Sequence, residues 1–309
     1  MKGLRKVLTP FAPDQSGAVS VLYNLGGLIV VIDAGGCTGN ICGFDEPRWQ
    51  NSKSAIFSAG LRDMDAILGR DELLVKKTID AATRIDCNFI ALIGTPVPAT
   101  IGTDYRALKR MIENKTDIPV LSIATNGMRL YDEGEAMAYK ELADVFADGS
   151  SSAASVTLGQ TPLTYGNSFV DVTIEQMRNI RNSGEVIAAS ASGLSAAMGL
   201  GLDHKILSTP ALKYLNEDLS GKVLVCHDEV FGKTLRDNGV DLDIATFFTL
   251  HDEIRKEGDK KITEEDEFTA MVYSGGYDAV VADKCLMDLI PEYEGRFIDA
   301  PCFAVSGRM

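Results

Sequence analysis

Six short runs of apolar, largely β-branched residues recur along the chain: 28–33 (LIVVID), 89–93 (FIALI), 119–123 (PVLSI), 186–190 (VIAAS), 223–226 (VLVC) and 279–282 (AVVA). They are nearly unbroken rather than alternating, the pattern of strands covered on both faces. Longer helical patterns separate them, such as 71–84 (DELLVKKTIDAATR) and 104–113 (DYRALKRMIE). In the second of these, Tyr105, Leu108 and Ile112 fall on one helical face and Asp104 is placed to cap it. Repeated alternation of strand and helix predicts an α/β chain of several Rossmann-like units with parallel sheets.

The chain has 309 residues, about two domains' worth. The stretch 148–155 (DGSSSAAS) is small, polar and aperiodic and reads as a linker, and a second boundary is expected near Ser220-Gly221. The expected division is a first α/β unit at 1–150, a short middle unit at 151–220 and a last unit at 221–309. The charged run from Glu253 to Glu267 reads as a solvated connection into a helix, and Asp63 and Asp65 as a solvated helical face.

Thirty basic against forty-four acidic residues give a net charge of −14, which opposes binding to nucleic acid or to anionic membrane. It suits a basic protein partner or an electron donor steered by charge. The most apolar stretch, 25–34, is far shorter than the roughly 18–20 residues of a membrane span. Near the start, Pro10, Pro13 and Asp14 interrupt any apolar signal core, so a cytoplasmic protein is expected.

In parallel sheets ligands bind where the strands end at their carboxyl side, so the loops leaving the strands come first. The richest reads Asp33-Ala34-Gly35-Gly36-Cys37-Thr38-Gly39-Asn40-Ile41-Cys42. Gly35, Gly36 and Gly39 permit unusual backbone angles and close approach of a bulky ligand. Cys37 is expected in the tight turn itself, where backbone amides lower a thiol's pKa, and Cys42 is near enough to share a site. A glycine-rich strand-to-helix turn holding two incidental thiols explains the spacing equally well. The other four of the six cysteines include the isolated Cys87 and Cys285, read as structural or inert.

The loops after 89–93 and 119–123 contribute Thr95 and Asn126 as further candidate cofactor-lining residues. Residues 231–234 (FGKT) end like a phosphate-binding loop, but His227 stands where that motif needs glycine, which excludes a nucleotide-hydrolysing site here. The three histidines are too scattered for a metal motif. His227, at a strand end beside Asp228 and Glu229, has the chemistry to move protons, although helix capping by Asp228 explains that neighbour as well. His204 reads as structural and His251 as solvated, and Ser192 reads as a helix cap or a ligand contact.

Taken in order, Gly17-Ala18-Val19, the stretch from Ile32 to Asn40, the segment 93–104 and the segment 119–126 resemble the nitrogenase component 1 family of oxidoreductases. That family includes the nitrogenase molybdenum–iron protein subunits and dark-operative protochlorophyllide reductase. The Gly35-Gly36-Cys37 loop looks like the family loop whose cysteine ligates an iron–sulfur cluster at a subunit interface. The resemblance implies a four-iron, four-sulfur cluster shared by two chains of a homodimer, with Cys37 as the ligand that carries over by position. Cys42, close to it in the same loop, is the second expected metal ligand of this chain. It further implies electrons from an ATP-dependent iron-protein-like reductase, passed to a small-molecule or metallocofactor substrate. Two family cysteines are absent: Pro96 stands at the position of one, and no cysteine precedes Cys37. Cys42 is an addition of this chain. These losses point to an alternative, a non-catalytic scaffold that binds or assembles a metallocofactor or tetrapyrrole.

Overall fold

A computed structural model of the chain describes residues 5–46, 48, 53–150, 155–159, 172–208, 217 and 219–308. The chain divides into two compact units. One comprises Ala12–Val156 with Asp171–Gly184, and the other Met1–Phe11, Thr157–Val170 and Glu185–Met309.

In the first unit, β1 (Leu28–Val31), β2 (Ala55–Ser58), β3 (Ile90–Ile93) and β4 (Val120–Ile123) form a sheet in the order β2-β1-β3-β4. All its pairings are parallel, with Leu28 in register with Ala55 on one side and Ile90 on the other. β1 and β3 are buried along their whole length, as the unbroken apolar runs require. Each Val or Ile so buried contributes about 1.5–3 kcal/mol of transfer free energy. The helices Asp71–Ala82 and Tyr105–Glu113 cover one face, where Val75, Leu108 and Ile112 join Leu28, Val30, Ile90 and Leu92 in one core. Asp104 caps the second helix as its sequence predicts, accepting the N–H groups of Arg106 and Ala107 at 3.0 Å. The helix Asp14–Leu22 is buried at all nine residues and lies against the helix Tyr131–Phe146. Gly134 sets that contact: a Cβ there would stand 1.8 Å from the carbonyl oxygen of Asp14.

A three-stranded sheet runs in the order β5 (Ser155–Leu158), β6 (Glu185–Ala188), β7 (Lys205–Ile206). The largest sheet belongs to the second unit and runs β10-β9-β8-β11-β12, with β8 (Val223–Cys226), β9 (Leu242–Thr246), β10 (Lys260–Lys261), β11 (Ala279–Ala282) and β12 (Arg296–Asp299). Its pairings are parallel throughout. Alternation along β8 and β11 divides the core. Val223, Val225, Ala279 and Val281 pack with Phe231 and Leu235 on one face, while Leu224, Cys226, Val280 and Ala282 pack with Phe268 and Val272 on the other.

All six apolar runs are therefore strands. Residues 151–154 of the expected linker lie outside the described residues, and Ser155 already begins β5. The charged run is less solvated than its composition predicts. Asp259 is buried, 2.5 Å from Arg236 Nη2, and accepts the Ile244 N–H. Glu265 is buried too, and its carboxylate accepts the backbone N–H groups of Lys6, Val7 and Leu8. Asp63 and Asp65 do lie on a helix, Asp63–Leu68, with no buried residue.

Candidate functional site

The order β2-β1-β3-β4 reverses direction between β1 and β3, so the loops leaving these two strands open a crevice at their carboxyl ends. The glycine-rich segment leaves β1 there and Thr95 leaves β3. The segment is not the tight loop its glycines suggest. It winds into a short α-helix, Gly36–Asn40, that continues as a π-helical turn, Ile41–Asp45. Gly35 makes the entry possible, with φ of 117°. Gly36 and Gly39 face open space, where an added Cβ would meet nothing within 4 Å.

Asp33 builds the entry. It is buried, and its Oδ2 accepts the backbone N–H of Thr38 at 2.8 Å and the Thr38 hydroxyl at 3.1 Å. Its Oδ1 accepts the Ser58 hydroxyl at 2.6 Å, which ties the segment to the end of β2. On the far side of the turn the Ser16 hydroxyl donates to Asp45 Oδ2 at 2.7 Å. Neither carboxylate was singled out by the sequence, because each acts through a partner distant along the chain. The only signal for Asp33 was its place as the last residue of an apolar run.

Cys37 and Cys42 are free, half-buried thiols on this one helical segment. Burial raises the Cys37 pKa, and the nearby charges of Asp33 and Asp45 raise it further, against an opposing contact with the Thr95 hydroxyl. This corrects the expectation that backbone amides would lower it: the local field is set by two carboxylates and by desolvation. Burial raises Cys42 as well. Both are protonated thiols near neutrality, and a metal bound there would displace the protons.

Thr95 is buried, and its hydroxyl donates to the carbonyl of Ile32 at 2.7 Å, joining the ends of β1 and β3. The Thr125 hydroxyl donates in turn to the Gly94 carbonyl at 2.7 Å, joining β3 to β4. Asn126 follows. Its N–H and that of Gly127 donate to the buried carboxylate of Asp14 at 2.9 and 2.7 Å, and burial raises the Asp14 pKa despite these bonds. The Asn126 side-chain oxygen accepts the N–H groups of Met128 and Arg129, so it is engaged in its own turn. The structure thus brings Cys37 against Thr95, and seats Asn126 on the neighbouring loop at the same sheet end. Large apolar side chains project from these loops: Phe44 is 77% exposed, Met128 84%, Ile101 45% and Val97 38%. Among the described residues no group of three or more His, Cys, Asp and Glu side chains is placed to hold a metal ion.

The sheet β10-β9-β8-β11-β12 has its own reversal between β8 and β11, and His227 follows β8 there. The ring is buried, with Nε2 3.0 Å from the Pro301 carbonyl and Nδ1 accepting the Asp228 N–H at 2.7 Å. Burial lowers its pKa to about 4, so it is neutral near pH 7 and both ring nitrogens have partners. Proton transfer by His227 is not supported, and Asp228 is indeed a cap, accepting the Val230 N–H. His251 is not solvated: its side chain is 14% exposed and contacts Glu229 and Ser195. The cap expected of Ser192 is made by Ser190, which accepts the Gly193 N–H and bonds the Ser192 hydroxyl.

No curated protein sequence matches the chain. Two structural matches are to nitrogenase Cp1. The Cp1 structure at pH 6.5 superposes with a TM-score of 0.70 at 13% identity, over 97% of this chain and 87% of that one. Cp1 at pH 5 gives 0.64 at 12% identity, over 96% and 85%. Their likeness is one of fold. The sequence itself matches the Nitrogenase component 1 type Oxidoreductase family across residues 15–201, a span that holds both cysteines and every loop of the open crevice, and the chain belongs to that family.

Proposed function

We propose that the crevice between β1 and β3 is half of an iron–sulfur site in a nitrogenase-like oxidoreductase component, completed by a second copy of this chain. The observation that carries this reading is the pair of half-buried thiols at a strand-order reversal, with Phe44, Val97, Ile101 and Met128 exposed on the loops at the same sheet end. An iron–sulfur cluster needs about four thiolates, and one chain offers two at this place. A two-fold pairing doubles the set to four and covers the exposed apolar side chains in the same step. The donors therefore fit a shared four-iron, four-sulfur cluster and do not fit one held by a single chain.

In this reading Cys37 and Cys42 lose their protons on ligation. Asp33 fixes the segment that presents them, and Thr95 holds the ends of β1 and β3 together behind Cys37. Phe44 and Met128 exclude water from the junction. When bound, the cluster supplies one-electron transfer, and the family membership supports a separate ATP-dependent reductase as donor and a small-molecule or metallocofactor substrate as acceptor. An acidic chain of −14 is suited to a donor that docks through basic residues.

A second reading is favoured by Pro96. It occupies the first turn of the helix Pro96–Ile101, where the family pattern has a cysteine, so that loop supplies no thiolate. A chain with a reduced donor set suits a metallocofactor- or tetrapyrrole-binding scaffold without redox turnover. Anaerobic reconstitution with iron and sulfide tests both. The expected result is a dimer with about four irons, a broad visible absorption and a paramagnetic signal on reduction, all lost in Cys37→Ser. An iron-free monomer identical to Cys37→Ser and Cys42→Ser overturns the cluster. Tetrapyrrole binding that survives Cys42→Ser, with no redox signal, selects the scaffold.

A further inference from the structure

Ser195, Glu229 and His251 come from three different segments of the second unit. Ser195 lies in the helix Ala191–Gly199 that follows β6, and Glu229 opens the helix Glu229–Asp237 that follows β8. His251 lies in the segment after β9. The two helix starts are tied together by Asp228, whose Oδ2 accepts the Ala191 N–H at 2.8 Å. All three residues therefore sit on segments leaving strands at their carboxyl ends.

The Glu229 carboxylate is fully buried. Its Oε2 accepts the backbone N–H of His251 at 2.6 Å, and its Oε1 meets the ring at Nδ1. A carboxylate only accepts, so Nδ1 carries the proton toward Glu229, and in the neutral tautomer this leaves Nε2 as the acceptor that faces Ser195. The Ser195 Oγ stands 3.0 Å from that Nε2. Ser195 and His251 both keep part of their surface exposed, whereas Glu229 keeps none. The result is a polar chain from a buried carboxylate, through an oriented imidazole, to a hydroxyl within reach of solvent. That is the arrangement by which a base takes a serine's proton as the oxygen attacks.

We propose that Ser195 is a nucleophile toward small carboxylic esters, with His251 as its general base and Glu229 as the positioning residue. In the first step a bond forms from Ser195 Oγ to the ester carbonyl carbon. The hydroxyl proton moves to His251 Nε2 and then to the departing alcohol, whose C–O bond breaks. Water, deprotonated by the same nitrogen, then bonds to the acyl carbon. The bond from that carbon to Ser195 Oγ breaks, the acid is released, and the proton passes from Nε2 back to Oγ. Electrons stay paired throughout and no co-reactant beyond water is consumed. Ser195 is one turn into its helix, beyond the first N–H groups that have no intrahelical partner, so turnover is expected to be slow.

The test uses the full chain and a fluorophosphonate probe, whose phosphorus takes the Ser195 Oγ as fluoride leaves. The expected result is one adduct per chain by intact mass, mapped to Ser195, with p-nitrophenyl acetate hydrolysis that the probe abolishes. His251→Asn is expected to slow labelling by at least ~100-fold, the contribution of a general base. Glu229→Gln slows it too, and Glu229→Asp recovers the rate, which a merely space-filling role would not produce. No adduct on the wild-type chain, an adduct on another residue, or labelling of His251→Asn at the wild-type rate overturns the proposal. The mapping on the wild-type chain stands even where a variant fails to fold.

Discussion

The sheets β2-β1-β3-β4 and β10-β9-β8-β11-β12 reverse strand order in the same way, and they differ in what fills the resulting crevice. At the first, the segment after β1 holds both half-buried thiols, with exposed Phe44 on the same segment and exposed Met128 on the loop after β4. At the second, Asp283 follows β11 and is buried. It accepts the N–H groups of Cys285 and Cys302, the Ser306 hydroxyl at 2.5 Å and Arg308 Nη2 at 3.1 Å. The segment from Cys302 to Arg308 thus plugs its own crevice; Cys226 and His227 are buried beneath it and Cys302 is buried at its start. The same kind of strand-order reversal yields one open end and one closed end. The strand order makes a crevice, and the side chains decide whether it is vacant for chemistry.

Thiol reactivity separates the two ends most sharply. Cys37 and Cys42 reach solvent, whereas Cys226 and Cys302 are buried and react only when the second unit opens. With iodoacetamide and peptide mapping, the first pair is expected to be alkylated at least ~10³-fold faster, as an opening free energy of several kcal/mol implies. Because burial raises both open thiols, their rates should climb as pH rises through and beyond the ordinary thiol range. Comparable rates for all four would erase the distinction.

The plug is tested next by Asp283→Ala. Removing this carboxylate leaves two backbone N–H groups and a hydroxyl without their acceptor, a cost of about 3–5 kcal/mol. Urea unfolding should show that loss, together with newly rapid alkylation of Cys302. Three donor bonds and Arg308 hold the Asp283 carboxyl below the usual range against the opposing effect of burial, so its stabilising contribution persists until pH falls below that range.

His227 carries the pH dependence at higher pH. Its folded pKa of about 4 lies below the ordinary 6.5, so the unfolded chain takes up the proton first. Its contribution is fully present above pH 6.5 and is lost as pH falls toward 4, by about 3 kcal/mol over that interval. Denaturant midpoints measured from pH 7 to pH 4 should fall accordingly, and His227→Gln should flatten that part of the profile. An unchanged slope would mean that the closed end admits water to the ring.

How much of this contrast could be read in the sequence depends on the range of the interaction. The strands were legible because burial on both faces leaves its mark within five or six consecutive residues, and Asp104 because a cap acts over three. The helical course of residues 36–45 was not, since its glycines signal a loop and the segment is fixed by Ser58 and Ser16, which lie far along the chain from Asp33 and Asp45. The raised pKa of Cys37 is hidden for a different reason: it comes first from burial, which depends on the folded packing, and then from Asp33 and Asp45, whose distance from the thiol depends on the helical course. His251 looked solvated because its neighbours in sequence are charged, while its partners Glu229 and Ser195 lie 22 and 56 residues away.

Asp33 provides the smallest test and the one that bears most directly on the open end. It makes three bonds to Thr38 and Ser58, and its charge helps raise the Cys37 pKa. Asp33→Asn keeps one carbonyl acceptor and removes the charge, so the stability loss should be about 1–2 kcal/mol, less than at Asp283. Loss of the charge lowers the Cys37 pKa, and a loosened entry at Gly35 exposes the thiol, so both effects speed its alkylation. Cys42, whose shift comes from burial alone, should change far less. A variant in which the two thiols respond equally would show that Asp33 acts on the whole helical segment, and one in which neither responds would assign the half-buried state of Cys37 to packing against Thr95.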